Sequence, residues 1–443
     1  MPDTLLIRNG WVITLGGESQ VLSGHSVLCE AGVICRIAPD REFSGTEGRV
    51  IDAGGKVVLP GFINSHMHFY STLVRGLGKA EPAGDFSGVL RNLWWRLDKA
   101  LTTDDCYESA RIMLASAIRQ GTTTLIDHHA SPRAIAGSLD AIAGAVLESG
   151  LRACLCYEVS DRDGEPVARE GIEENARFIR RCLREKNGRL RALFGLHASF
   201  TLSDATLDRA AAVGQELSSG FHIHVAESRS DQEHCQDHFG MRVVERLHRH
   251  GILGRKTLAA HCVHVDEAEM DRLAETETMV AHNPQSNLNN AVGIADVIAM
   301  RKKGIVVGLG TDAMTVDMLE EMRAALWSQR HLRKDPSCGF AEVTSALTEQ
   351  NPRIATRLWG VPLGWIGEGV AADLIIVDYK PPTPLDDGTA LGHLLYGISQ
   401  CRVDTTIVAG RVLMENGKLT VPIDEERAAA RARERAAALW RRF

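Results

Sequence analysis

Val57-Val58-Leu59-Pro60-Gly61-Phe62-Ile63-Asn64-Ser65-His66-Met67-His68 is an apolar run, broken at Pro-Gly, that ends in two histidines. Similar runs recur along the middle of the chain, at 57–62, 122–127, 152–159, 190–196, 221–225, 257–260, 278–281 and 305–309. Each is short, apolar and bounded by turn residues, which reads as a buried strand. Between them lie stretches with apolar residues at helical spacing: 107–119, 172–183, 205–216, 241–250, 268–275, 297–303 and 319–330. Eight βα units predict an α/β fold with a closed parallel sheet, a (β/α)8 TIM-like barrel over residues 59–364. The longest connection follows the first strand, from His68 to Thr122. It includes 86–101 with Trp94 and Trp95, a candidate lid.

The flanks have another texture. Residues 1–58 read as short strands at 5–8, 11–14, 26–28, 33–37 and 49–52, punctuated by Gly, Asp and Asn. Late strands at 372–378, 403–408 and 409–414 precede a turn containing Asn416-Gly417, a good hairpin signal. The two ends, 1–58 and 365–422, therefore predict one small β-sandwich domain, with a terminal helix at 423–443. That helix is rich in Ala and Arg. Its acids Asp424, Glu425, Glu426 and Glu434 favour a docked, solvated helix over a nucleic-acid arm.

The 443 residues are 44% hydrophobic and 24% charged, with a net charge of -7. These values exclude a disordered or fibrous chain and give no general attraction to nucleic acid or an anionic membrane. The 10 cysteines form no Cys-x-x-Cys pair; Cys154-Leu155-Cys156 alternates along a strand, and all read as core thiols. Met1-Pro2-Asp3-Thr4 opens no secretory signal, and no run approaches a membrane span. A reducing cytoplasm is the expected compartment.

More than half of the 17 histidines fall at or just beyond the predicted strand ends: His66, His68, His128, His129, His197, His222, His224, His261, His264 and His282. That rim is where barrel enzymes carry their sites. On a strand, residues two apart share a face, so His66 and His68 can point at one metal ion. Phe221-His222-Ile223-His224-Val225-Ala226-Glu227 offers another histidine and a carboxylate. His222 and His224 share a face, so spacing alone does not choose between them. Ala260-His261-Cys262 and Gly308-Leu309-Gly310-Thr311-Asp312 end two further strands. Three His and one Asp would hold a divalent ion and leave a position open for water.

In these motifs and their order the chain resembles the amidohydrolase superfamily. It is most similar to the mononuclear deaminase and chlorohydrolase branch, which includes guanine, cytosine and S-adenosylhomocysteine deaminases. Three stretches resemble SsnA-type aminohydrolases: His68 to Leu77, Asn92 to Leu101, and Asp127-His128-His129-Ala130-Ser131-Pro132. The resemblance implies His66, His68, His224 and Asp312 as metal ligands. It implies Glu227 as the catalytic acid and base, and His261 and Asp312 as contacts of the hydrolytic water. His197 matches a substrate-contacting histidine, while His222 and His264 fall outside the motif and read as packing or supporting residues. Binuclear relatives bridge two metals with a carboxylated lysine; Arg191 to Thr201 contains no Lys, so one ion per subunit is expected, Zn2+ or alternatively Fe2+.

The implied reaction is hydrolytic deamination. The metal lowers the pKa of water, Asp312 and His261 orient it, and Glu227 protonates a ring nitrogen beside the attacked carbon. Further substrate contacts are expected from His128, His129, Trp94, Arg75 and Ser71. Ser71 stands where many purine- and pterin-directed relatives have Gln, which speaks against guanine. The family context of selenium and purine metabolism implies a purine, pyrimidine or related amine as substrate. Two alternatives remain open: a hydrolase of a cyclic amide or of a chloro- or alkylamino-substituted ring, and a non-catalytic metal-binding accessory protein. The only partners expected are this small molecule and further copies of the chain, as a dimer or larger homo-oligomer.

Overall fold

The computed structural model describes residues 4–45 and 47–443. Met1 to Asp3, part of the stretch read for a secretory signal, lie outside the described residues. The flanks form one nine-stranded sheet. Its order runs Lys418–Leu419, Arg411–Glu415, Val403–Val408, Leu374–Val377, Val57–Pro60, Leu5–Ile13, Val21–Glu30, Val33–Pro39, with Arg49–Asp52 beside Leu5–Ile13. The antiparallel pairing of Leu374–Val377 with Val57–Pro60 joins the two ends of the chain. The two expected strands at 5–8 and 11–14 are one strand with a bulge at Asn9-Gly10, where Asn9 takes a φ of 58°. Asn tolerates that left-handed backbone better than most residues.

The run at 57–62 is not the first strand of the parallel set. Val57–Pro60 belongs to the nine-stranded sheet, and the parallel strand is Phe62–Met67. Both pieces are buried, so apolarity alone does not separate them. Gly61 makes the join. A Cβ there would lie 2.2 Å from Thr123 Cγ2, so only glycine lets the two strands run this close.

The parallel strands form two sheets. One holds Phe62–Met67, Thr122–Asp127, Arg152–Leu155 and Leu190–Ala192; the other holds Phe194–Ala198, Phe221–Val225, Leu258–His261, Met279–His282 and Val307–Leu309. The strand expected at 190–196 is thus divided at Leu193, its halves pairing with different neighbours. Helices alternate with the strands as the periodicity predicts, among them Thr103–Gln120, Glu165–Glu185, Asp204–Glu216 and Met318–Arg333. Thr103–Gln120 shows why its ends fall where they do. Thr102 and Asp105 form a reciprocal capping box, and Gly121 closes the helix at φ 73°.

The two parallel sheets meet along two seams, each held by a bridge and an asparagine. At one, Met67 bridges to Asp312. Asn351 donates to Ile63 O at 2.5 Å and Leu309 O at 2.9 Å, and accepts from Leu309 N at 2.8 Å. At the other, Val159 bridges to Leu196. Asn175 donates to Tyr157 O at 2.7 Å and accepts from Tyr157 N at 2.9 Å and Gly195 N at 3.1 Å. Between the seams, Ile63, Ile126, Cys154, Cys156, Leu258, Met279 and Ala281 pack with Trp359 as an apolar plug. The strands carry apolar side chains at their starts and histidines at their ends.

The segment at 86–101 is helical as far as Ala100: Phe86–Val89, a π-helical turn at Leu90–Trp94, and Trp95–Ala100. The terminal helix Glu425–Arg442 docks beside it through Trp440 Nε1 to Leu73 O at 2.8 Å and Arg442 Nε to Ala100 O at 2.9 Å. All 10 cysteines are free and most are buried. Among the described residues no helix is long and apolar enough to cross a membrane.

Asn351→Leu would leave three buried backbone groups at one seam unpaired. We expect a loss of about 2–4 kcal/mol, read as the shift of the urea midpoint by far-ultraviolet circular dichroism. A loss below about 0.5 kcal/mol, the range of neutral surface substitutions, would remove Asn351 from that role.

Candidate functional site

The strand ends bring four imidazoles, His66, His68, His224 and His261, together with the carboxyl groups of Asp312 and Glu227. His66 and His68 end Phe62–Met67, and His224 ends Phe221–Val225. His261 follows Ala260 with φ 73°, and Asp312 follows Thr311 with φ 52°. Left-handed backbone at two non-glycine residues is strained and turns these side chains inward. His68 Nε2 lies 2.9 Å and His66 Nε2 3.7 Å from Asp312 Oδ1. His224 Nε2 lies 3.4 Å from His68 Nε2. His66, His224, His261 and Asp312 each offer a ligand atom within 4.8 Å of the others.

Every candidate imidazole has its other nitrogen held. His66 Nδ1 meets His222 Nε2 at 2.8 Å. His68 Nδ1 meets the His128 carbonyl at 2.5 Å, and His224 Nδ1 the His197 carbonyl at 2.9 Å. His261 Nδ1 meets Asn287 Oδ1 at 2.8 Å. The carbonyl contacts assign the proton of His68 and His224 to Nδ1, and all four contacts turn Nε2 toward the common point, the arrangement of a metal-ligating histidine. His66 Nε2 and His261 Nε2 are buried with no hydrogen-bond partner. A divalent cation with N and O ligands fits this donor set and would satisfy those orphaned nitrogens.

The electrostatics agree. Burial pulls His66 down to about 3 and His224 well below the ordinary histidine range, so both stay neutral. Burial works the same way on His68, but Asp312 beside it outweighs burial and raises it to about 9. Burial would raise Asp312; contacts from His66 and His68 instead hold it well below the carboxylate range. The site therefore favours positive charge where these groups meet. Glu227 differs: burial first, then Asp312, push its carboxyl well up. Its Oε2 stands 3.5 Å from His261 Nε2. A carboxyl poised this way can hold a proton and pass it on.

A cavity opens over these groups beneath the 86–101 segment. His68, His224, Glu227 and Asp312 line it, as do His197, Trp94 and Trp95. Of the expected substrate contacts, His197 and Trp94 reach it. The other four do not. His128 is buried beneath, its Nε2 3.1 Å from the Leu196 and His222 carbonyls. His129 is buried against Ser131 Oγ at 2.9 Å and Cys106. Ser71 turns its hydroxyl back to the His68 carbonyl at 2.8 Å. Arg75 is exposed with its guanidinium on Met113 Sδ. In each case a nearby backbone or core group takes the polar atom. His222 supports His66, and His264 Nε2 is held by the Val292 carbonyl at 2.7 Å, so both lie in supporting positions.

Sequence reasoning missed Glu158, Ser286 and Asn290. Ser286 donates to Asp312 Oδ2, and Asn290 reaches both Ser286 Oγ at 3.3 Å and Glu227 Oε1 at 3.5 Å. Their signal was the polar run Asn283 to Asn290 just beyond a strand end. Glu158 lines the cavity, and its signal was a lone carboxylate in the apolar run 152–159.

Residues 57–413 match the amidohydrolase family. The chain is 32% identical over 444 residues to a 5-methylthioadenosine/S-adenosylhomocysteine deaminase of Pelotomaculum thermopropionicum, covering 99% of each. It is 32% identical over 435 residues to a 5'-deoxyadenosine deaminase of Methanosarcina acetivorans, covering 97% of this chain and 96% of that one. In fold it is similar to a zinc-bound adenosine deaminase of Xanthomonas campestris, with TM-score 0.85, 24% identity, and coverage of 99% and 97%. It is also similar to the atrazine chlorohydrolase TrzN of Arthrobacter aurescens complexed with zinc, with TM-score 0.81, 23% identity, and coverage of 98% and 100%. The chain belongs to the amidohydrolase family. It is a metal-dependent aminohydrolase, acting on carbon–nitrogen bonds other than peptide bonds.

His222→Phe removes the partner of His66 Nδ1. Divalent-metal affinity is expected to fall about 10–100-fold. Competition with a chromophoric chelator measures this, and unchanged affinity would show that His66 needs no such support.

Proposed function

We propose that this protein is a zinc-dependent deaminase that releases ammonia from an amino-substituted purine, pyrimidine or related ring. The observation that carries the reading is the placement of Glu227. It is a buried carboxyl with a raised proton affinity, beside His261, facing the His-Asp cluster from the same cavity. The deaminase names of relatives at 32% identity support it further. The chlorohydrolase likeness, at 23% identity, bears on the fold alone.

In this reading the two parallel sheets close at their seams into one (β/α)8 barrel. The nine-stranded sheet is the small β-sandwich domain, drawn from 1–58 and 365–422. One ion per subunit would be held by His66, His68, His224 and Asp312, supplying Lewis acidity that makes water ionisable near neutral pH. His261 and Asp312 orient the attacking water, and Asp312 takes its proton. Ser286 and Asn290 link Asp312 to Glu227 and fix the two carboxyl groups relative to each other. Glu227 gives its proton to the ring nitrogen next to the carbon that bears the amine, which makes that carbon electrophilic. Addition of water gives a tetrahedral carbon. The proton held by Asp312 then goes to the amine, the C–N bond breaks and ammonia leaves, while the hydroxyl gives its proton back to Glu227 and the ring keeps a carbonyl. His197, its Nδ1 fixed by Thr201 Oγ1 at 2.6 Å, keeps Nε2 for the substrate.

Glu227→Gln keeps the shape and loses the transferable proton. Ammonia release is expected to drop by about 10²–10⁴-fold, with zinc content unchanged by atomic absorption. Full activity in that variant would end this assignment.

A further inference from the structure

Glu158 is a buried carboxylate on the cavity wall that the reaction above does not use. Burial alone would raise its proton affinity, but His197, His128 and Arg162 outweigh that and keep it ionised. Its oxygens stand 3.3 Å from His128 Nδ1, 3.6 Å from His197 Nε2 and 3.7 Å from Arg162 Nη2. These distances are longer than a good charge-assisted hydrogen bond. Lone pairs therefore remain for a ligand. One oxygen lies within 4.8 Å of ligand atoms on both His197 and His224. Glu158 thus faces the reaction point from the His197 side, while Glu227 stands beside His261.

Arg162 is the nearest guanidinium, and it is committed elsewhere. It pairs with Asp98 at 2.7 Å and lies over the Trp95 ring at 5.1 Å. Asp98 and Trp95 both belong to the 86–101 segment, so this contact also ties that segment to the wall. Asp98, Glu158, Glu227, Asp231 and Asp312 all line the cavity, and among the described lining residues none is Lys or Arg. A carboxylate or phosphate on the substrate would meet Glu158 and find no lysine or arginine to pair with among these residues.

Resting on the deaminase reading, we propose that Glu158 is the specificity-determining residue of this pocket. It accepts hydrogen bonds from an uncharged or cationic amino-heterocycle and turns away substrates that carry a carboxylate or phosphate. An ionised carboxylate only accepts hydrogen bonds, so it selects ring edges that present N–H or hydroxyl donors. Burying an anionic group against it leaves like charges facing each other, a repulsive element of the kind that sets specificity.

The test compares ring-matched pairs: 5'-deoxyadenosine with S-adenosylhomocysteine, and adenosine or cytidine with its 5'-monophosphate. On the zinc-loaded protein, kcat/KM is expected to favour the uncharged member by about 100-fold or more, as a few kcal/mol of repulsion implies. Glu158→Gln should shrink that ratio about tenfold or more, chiefly through KM, while Glu158→Asp keeps it. Equal use of both members, or a ratio that Glu158→Gln leaves unchanged, overturns the proposal. If Glu158→Gln does not fold, the wild-type ratio decides. Absence of ammonia from every compound overturns the deaminase reading instead. The same pairs are then titrated calorimetrically onto the zinc-loaded protein. Tighter binding of the uncharged members supports the pocket assignment; equal binding, or none, overturns it.

Discussion

The seam between Phe62–Met67 and Val307–Leu309 is the constraint on which the rest of the site depends. There Thr311 N donates to His66 O at 2.8 Å, Asp312 N to the same oxygen at 2.9 Å, and His68 N to Asp312 O at 3.2 Å. Asn64 Nδ2 reaches Thr311 Oγ1 at 2.7 Å across the same gap. These bonds are what bring a histidine pair and an aspartate, some 245 residues apart in sequence, to one point. The approach leaves no room for a side chain between the strands. A Cβ on Gly310 would lie 2.5 Å from Asn283 Oδ1 and 2.8 Å from the His66 backbone. Backbone pairing thus sets where these side chains meet. A slip of one residue would turn the histidines to the other face.

Packing imidazoles this densely is costly, because burial disfavours their charged forms and their neutral forms each need a donor or acceptor. The structure meets the cost by giving His66, His68, His224 and His261 one fixed partner each on Nδ1. His66 leans on His222, whose Nδ1 is in turn 3.6 Å from Cys156 Sγ; His68 and His224 lean on backbone carbonyls. Two buried nitrogens, on His66 and His261, are left without partners, and both face the open point. A divalent cation placed there would pair both of them.

The legible part of this molecule was the part written in period and order. Strand-end histidines two apart, a His three residues before Glu, and Asp after Gly-Thr are local patterns. The structure brings all of their residues together. The unread parts were decided by tertiary contacts. At 57–62 an apolar run serves two sheets, and only the close passage of Gly61 past Thr123 shows where one ends. His128 and His129 sit at a strand end like the ligands do, but their rings turn under the cavity to meet carbonyls and Ser131. Nothing in their spacing distinguishes that from pointing upward. Glu158 was hidden for the converse reason. It looked like one polar residue in a core strand, and its meaning lies in Arg162, Asp98 and His197, which arrive from other elements.

The long connection after the first strand gains its order from the far end of the chain. Trp440 holds the Leu73 carbonyl before the 86–101 segment and Arg442 holds the Ala100 carbonyl at its end. Arg442 also pairs with Asp105 at 2.5 Å, and Arg96 lies over the Phe443 ring at 4.2 Å. One terminal helix therefore holds the long connection at Leu73 and at Ala100, while Asp98 ties the 86–101 segment to Arg162. A segment held at three points does not roam as a free loop of its length would, because most of its conformational entropy is already spent. Trp94, Trp95 and Leu90 can then serve as a standing apolar roof. Such a roof keeps water away from the ring of a bound heterocycle and strengthens each charge contact beneath it.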